Sequence, residues 1–190
     1  MRAVLRGRYV TLEPIEESHR PLADLQHEFA SPDWFDDGLT SDDPLFFAAL
    51  IDGQPVGRAA IMRIDEPNRV AEIGHVLWGP QMRRTPASTE AVLLMADHLF
   101  DWGARRVEWK CDNRNEASKA AALRFGFTFE GVFRQHMVVN GRNRDTAWFS
   151  LLDHEWPNRR RQVLAWLDPA NFDPDGRQRT RLGGGVYTSG

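Results

Sequence analysis

The sequence has almost no cysteine and no long apolar run. Its single cysteine, Cys111, excludes an intrachain disulfide and any zinc site built from several cysteines. No stretch is apolar for the length that a membrane span requires, and no signal-peptide pattern opens the chain. A cytoplasmic protein with no membrane partner is therefore expected. Nor is there an excess of charge of one sign: a net charge of −3 gives no reason to expect nucleic acid as the main partner. No internal repeat is visible. What is present is an ordinary globular composition, 42% apolar and 27% charged, on 190 residues. That length suits one domain with a sizeable core. Seven Trp and eleven Phe are many for this size. Core packing accounts for most of them and leaves a few to line a pocket.

The chain is organised around residues 69–127. Val70 to Trp78 reads as a strand, which Gly79-Pro80 stops. A basic loop, Gln81 to Thr85, leads into a helix. Thr85 suits the N-cap, and Pro86 suits the first helical position because its missing N–H would be an orphan there. Val92, Met95, Leu99 and Trp102 recur at helical spacing, and Gly103 ends the helix. A second strand, Arg106 to Cys111, is followed by Asn115 and another helix that ends at Gly126. Unpaired N–H groups and the helix dipole make the N-terminus of the first of these helices an anion site, and Arg83 and Arg84 add charge to it.

Around this centre, Val4 to Pro14 reads as a first strand, and a helix starts near Glu13, with Pro21, Leu22, Leu25 and Phe29 near one face. Residues 31–44 are rich in turn and breaker residues and have room for little more than a turn. Leu45 to Asp52 and Val56 to Arg63 are strands about the Asp52-Gly53 turn. Thr128 to Val139 and Arg144 to Leu152 are strands about Asn140-Gly141, the strongest hairpin signal in the chain. Pro157 to Leu167 reads as a terminal helix. Asp168 to Gly190 has the composition of a flexible tail, unless the body or a partner subunit orders it.

Asn115-Glu-Ala-Ser118 followed by Leu123-Arg-Phe-Gly126-Phe127 resembles the coenzyme A half of a GNAT-type N-acetyltransferase. Glu72-Ile-Gly-His75, Ser88-Thr-Glu-Ala91, Gly126-Phe127, and Arg144-Asp145 followed by Trp156-Pro157 resemble the branch that acetylates the N-terminal alanine or serine of ribosomal proteins. The resemblance implies an α/β fold: a mixed, strongly twisted sheet with splayed central parallel strands and helices on both faces. The strands at 70–78 and 106–111 would be adjacent, parallel and diverging. Residues 1–157 would form the acetyltransferase domain, and 158–190 a C-terminal helix and extended tail. Relatives have a full second helix where residues 31–44 stand, so the acceptor side is expected to be more open here.

The implied chemistry is direct attack of a primary amine on acetyl-CoA, with no metal. The implied coenzyme-binding residues are Val76, Leu77, Trp78, Arg83, Arg84, Thr85, Ala87, Ser88, Asn115, Ser118 and Phe125. The pantetheine arm would pair with the backbone near Val76 and Leu77, and an N–H there would polarise the thioester carbonyl. Family loops carry glycines at the positions of Arg84 and Pro86. Either the arginines replace the lost backbone donors with charge-assisted bonds, or coenzyme binding is weakened. Asn115 is a coenzyme contact or simply a helix N-cap. Many relatives have a tyrosine acid where Ala122 stands, so Ser118 or water would protonate the leaving thiolate, whose thiol pKa of about 8.5 makes a strong acid unnecessary.

Glu72 and His75 are the candidate bases. Three apart on a strand, they point to opposite faces unless a bulge intervenes. Asp145 and Trp148 are expected to border the acceptor, with Asp145 holding a cation or pairing with Arg142 or Arg144. Cys111 has no evident base for an acyl-cysteine route. Residues 13–43 carry ten carboxylates and one arginine, Arg20, a field that attracts a cationic amine or merely a solvated acidic surface. The acceptor is a protein N-terminus or a small-molecule amine. Another class of reading is a GNAT-like module that binds acyl-CoA or a partner protein without turnover. A homodimer is compatible with all of these.

Overall fold

A computed structural model describes residues 1–25 and 33–183. The chain divides into two compact units, Met1–Ala104 and Arg105–Gly190.

The first unit contains β1 (Leu5–Arg6), β2 (Thr11–Pro14), β3 (Leu45–Ile51), β4 (Gln54–Asp65) and β5 (Val70–Trp78), each antiparallel to the next. Val4 to Pro14 is therefore two short strands and not one. A turn closed by the Gly7 N–H donating to the Val10 carbonyl folds β1 back on β2. Glu90 holds that turn, its carboxylate accepting the N–H groups of Arg8, Tyr9 and Val10 at 2.6–3.0 Å. Glu90 lies on α2 (Pro86–Asp101), which packs against β5, β1 and β2. Val92, Met95 and Leu99 are buried, as their spacing predicted.

The other face of this sheet carries Phe46, Ala48 and Ala60, packed with Ile15, Leu22, Trp34 and Phe35. The helix expected from Glu13 is a single 3-10 stretch, Glu17–Leu22, with Pro21 inside it removing a backbone donor. The Glu16 N–H donates to His19 Nδ1, while His19 Nε2 faces Glu13 at 3.4 Å. Phe29 lies outside the described residues. Within 31–44 there is more than a turn: α1 (Trp34–Thr40) forms because Trp34 and Gly38, one turn apart, both face Phe46. A Cβ at Gly38 would meet the Phe46 ring at 2.9 Å.

The second unit contains β6 (Arg106–Asp112), β7 (Thr128–Val139) and β8 (Arg142–Leu152), with β8 antiparallel to both others. Asn140 and Gly141 have φ of 49° and 72°, the left-handed pair that a tight hairpin turn requires. α3 (Glu116–Phe125) packs on β6 and β7, with Trp109 against Phe125 and Phe127. α4 (Trp156–Trp166) brings buried Arg159 to the end of α3, where its guanidinium donates to the carbonyls of Arg124 and Phe125. The described part of the C-terminal segment is ordered by its own unit. Trp166 Nε1 donates to Gln178 Oε1, and Asn171 bonds the backbone of Trp166 and Thr180. Among the described residues, no helix is long and apolar enough to cross a membrane.

Candidate active site

The site is built at the end of β5. Gly57↔Trp78, Arg58↔Leu77, Ala60↔Gly74 and Met62↔Glu72 are partners across β4 and β5. Ala59 alone therefore stands opposite two residues, His75 and Val76, and His75 takes a φ of 50°. This is a β-bulge, which resets the alternation of side chains. Its effect is direct. Glu72 and Gly74 share the face of Ala60 and Phe46, and the His75 ring sits on that same face, 5.2 Å from the Phe46 ring. Plain alternation would have separated the two candidate bases; the bulge brings them together. Glu72 is buried, and Arg63 Nη1 donates to its Oε2 at 3.1 Å. A Cβ at Gly74 would lie 3.3 Å from Glu72 Oε1, so glycine leaves that oxygen room.

Past Trp78 the chain turns tightly. The N–H groups of Met82 and Arg83 donate to the Gly79 carbonyl, and the N–H and hydroxyl of Thr85 both reach the Met82 carbonyl. Met82 is fully buried and anchors the loop. Arg84 has a φ of 62°, the left-handed conformation that glycine would supply at this position. The backbone shape survives although the glycine does not. Thr85 occupies the N-cap of α2, but its side chain does not cap the helix, and no acidic residue lies in the first turn. The N–H groups of Ala87 and Ser88 lie in the first turn of α2, where no intrahelical acceptor exists. Ser88 Oγ donates to the Thr85 carbonyl. Arg83 and Arg84 are exposed, and Arg83 Nε donates to the Trp78 carbonyl at 2.8 Å. Val76, Leu77, Trp78, Arg83, Arg84, Thr85, Ala87 and Ser88 thus lie along one β5–loop–α2 path.

Asn115, Ser118 and Phe125 belong to the second unit. Asn115 caps α3, its Oδ1 accepting the Ser118 N–H at 3.0 Å. Ser118 Oγ accepts from Trp109 Nε1 at 3.0 Å. Burial pushes the Cys111 thiol up, opposed by a hydrogen bond with Ser118. Phe125 is buried against Trp109. Asp145 accepts the Gln135 N–H at 2.7 Å and the Asn143 amide at 2.9 Å. The Gln135 bond is the larger cause of its carboxyl lying below the usual range. Asp145 therefore fastens the bulge at Arg134–His136 of β7. Beside it, Lys110 Nζ lies 3.8 Å from the centre of the Trp148 ring.

One residue escaped the sequence reading. Arg58, on β4, is fully buried, its guanidinium 3.8 Å from the centre of the Trp34 ring. Burial alone pushes its pKa down to about 10. Its signal was a lone arginine inside the apolar run Pro55-Val-Gly-Arg-Ala-Ala-Ile61.

Comparison with known proteins agrees with this geometry. Residues 10–127 match the model of the acetyltransferase (GNAT) family. The chain is 30% identical over 135 residues to the Bacillus subtilis protein YdaF, named as a ribosomal N-acetyltransferase, covering 70% of this chain and 73% of YdaF. The crystal structure of a GCN5-related N-acetyltransferase from Brucella melitensis is 47% identical, with a TM-score of 0.90, covering 96% of this chain and 93% of that one. An acetyltransferase from Salmonella typhimurium that modifies the N-terminal serine of ribosomal protein L7/L12 shares the fold, with 19% identity and a TM-score of 0.69 over 79% of this chain and 99% of that one. A bulged strand ending in an uncapped helix N-terminus, with relatives of this kind, establishes that the chain belongs to the GNAT family of acetyltransferases.

Proposed function

We propose that the protein transfers an acetyl group from acetyl-CoA to the α-amine of its acceptor by direct attack. The observation that carries this reading is the left-handed backbone of Arg84, ahead of the open N–H groups of α2. A left-handed residue at that point and two exposed arginines beside it support a pyrophosphate-binding loop. The kinship with YdaF supports a ribosomal-type N-terminal acceptor. An α-amine with a pKa near 8 is about a tenth neutral at pH 7, whereas a lysine near 10.4 is neutral in under about one part in a thousand. A carboxylate such as Glu72 acting as the base suits the former.

In this reading the backbone near Leu77 polarises the thioester carbonyl and the neutral amine attacks it. The nitrogen–carbon bond forms as the carbon–sulfur bond breaks. The amine proton passes through a water to Glu72, with His75 alongside on the same face. The thiolate regains a proton from Ser118 or water. Asn115 caps α3.

Calorimetric titration with acetyl-CoA tests the reading, repeated on the double variant Arg83→Ala/Arg84→Ala. Micromolar binding that weakens in the variant is expected, followed by thiol release in the presence of peptides with free N-termini. A wild type that does not bind acetyl-CoA defeats it.

A further inference from the structure

Arg58 has no use in the reaction described so far. Its Nε donates to the Leu25 carbonyl at 3.2 Å, but neither Nη1 nor Nη2 has a hydrogen-bond partner among the described residues, and both are buried. An isolated buried cation costs several kcal/mol even after relaxation, and each unpaired donor adds to that. Among the described residues, Glu17 and Asp36 bond Arg20, Asp43 takes the N–H groups of Arg63 and Ile64, and Glu72 bonds Arg63.

The surroundings fix the guanidinium's orientation. It stacks on Trp34 at 3.8 Å and lies 5.7 Å from the Phe46 ring centre, while Phe46 meets the His75 ring at 5.2 Å on its other contact. Arg58 and His75 therefore touch one shared ring, on the sheet face that also carries Glu72. Stacking holds the guanidinium plane and leaves its Nη edge, the edge that matches two oxygens of a planar or tetrahedral oxyanion. Leu25, Leu39 and Leu50, only partly buried, pack against the apolar cluster that contains Trp34 and Phe46.

We propose that Arg58 binds an oxyanion, carboxylate or phosphate, carried by the acceptor, so that the substrate is a primary amine bearing an anionic group. This rests on the acetyltransferase reading and narrows its acceptor. The molecule is held with opposite polarity at its two ends. Its amine meets the Glu72–His75 end of the face. Its oxyanion slips past the partly buried leucines and pairs with the Nη edge of Arg58.

The test compares twin ligands at matched ionic strength. Alanyl-alanine is set against alanyl-alaninamide, and phosphoethanolamine against ethanolamine. Thermal midpoints are read first, without coenzyme, so the result does not depend on whether acetyl-CoA binds. In the wild type the anionic member of at least one pair raises the midpoint by about 3 °C or more at saturation, and its neutral-ended twin does not. The pair that responds tells carboxylate from phosphate. In Arg58→Met the shift disappears, the midpoint without ligand is equal or higher because an unpaired buried charge is gone, and acetyl-CoA titration is unchanged. In turnover, KM for the anionic amine rises at least about tenfold while kcat moves little. Arg58→Lys, which keeps the charge but loses the fork, serves if the methionine variant does not fold, and loses most of the discrimination. No anion-specific shift in the wild type overturns the proposal. So does a variant that keeps the wild-type preference, or one that loses stability while the wild type ignores both anions, since Arg58 is then a structural residue. Failure to bind acetyl-CoA, by contrast, falls on the enzymatic reading and leaves the anion measurement standing.

Discussion

Glu90 is a carboxylate with a structural task. Its two oxygens take three backbone N–H groups from one turn, in a residue only 7% exposed. Glu90→Ala leaves those donors without acceptors and should cost about 3 kcal/mol in urea unfolding. Cys111 makes the opposite case. Its thiol is buried and pushed up in pKa, so the folded protein should resist thiol reagents at neutral pH. Cys111→Ala should keep acetyl transfer within about twofold, which a covalent acyl route would not permit. The shared face of Glu72 and His75 supplies a third expectation. Glu72→Gln should lower kcat about a hundredfold, as removal of a general base does. His75→Gln should lower kcat by less than Glu72→Gln does, since in this reading His75 stands beside the base and does not take the proton. Equal and pH-independent losses would place neither residue at the proton.

At the level of elements, Arg84 separates shape from charge. A side chain in the left-handed region costs about 1 kcal/mol relative to glycine. Arg84→Gly should therefore raise stability by about that much, while Arg84→Ala should not; thermal unfolding reads the difference. Sequence alone displayed the β5–loop–α2 order, the Asn140-Gly141 hairpin and the start of α2 at Pro86, because turn and cap residues act locally. It did not display the bulge at His75, since nothing in Glu72-Ile-Gly-His75 distinguishes an extra residue from continued alternation. Nor did it display α1, because breaker residues around Trp34 hid a helix that exists through contact with Phe46, a residue of a different element. Asn115 was legible as a cap and proved to be one. Arg58 was read as part of a strand, and only its surroundings reveal a buried guanidinium whose Nη atoms have no hydrogen-bond partner among the described residues.

For the molecule as a whole, acid should act on its bonded carboxylates, Glu17 and Asp65 in the first unit among them. Asp112 is held below the usual carboxylate range by Arg114, Glu130 by Arg106, and Asp145 by the Gln135 N–H. Each is bound more favourably when charged. Their contributions are complete above the unfolded carboxylate values near 4 and fade as pH falls through the lower folded values. Unfolding temperature should drop steeply below about pH 4, and Asp145→Asn should flatten that slope. The Glu90 clamp has a further consequence, in the order of folding. Its donors precede it by 80 to 82 positions, so the contact closes a chain segment nearly half the length of the protein. Closing a loop of that size costs about 4 kcal/mol of chain entropy before any contact compensates. β1 and β2 are thus among the last strands to be fastened. During refolding, the amides of Arg8, Tyr9 and Val10 should gain protection from exchange no earlier than the helix that carries Glu90.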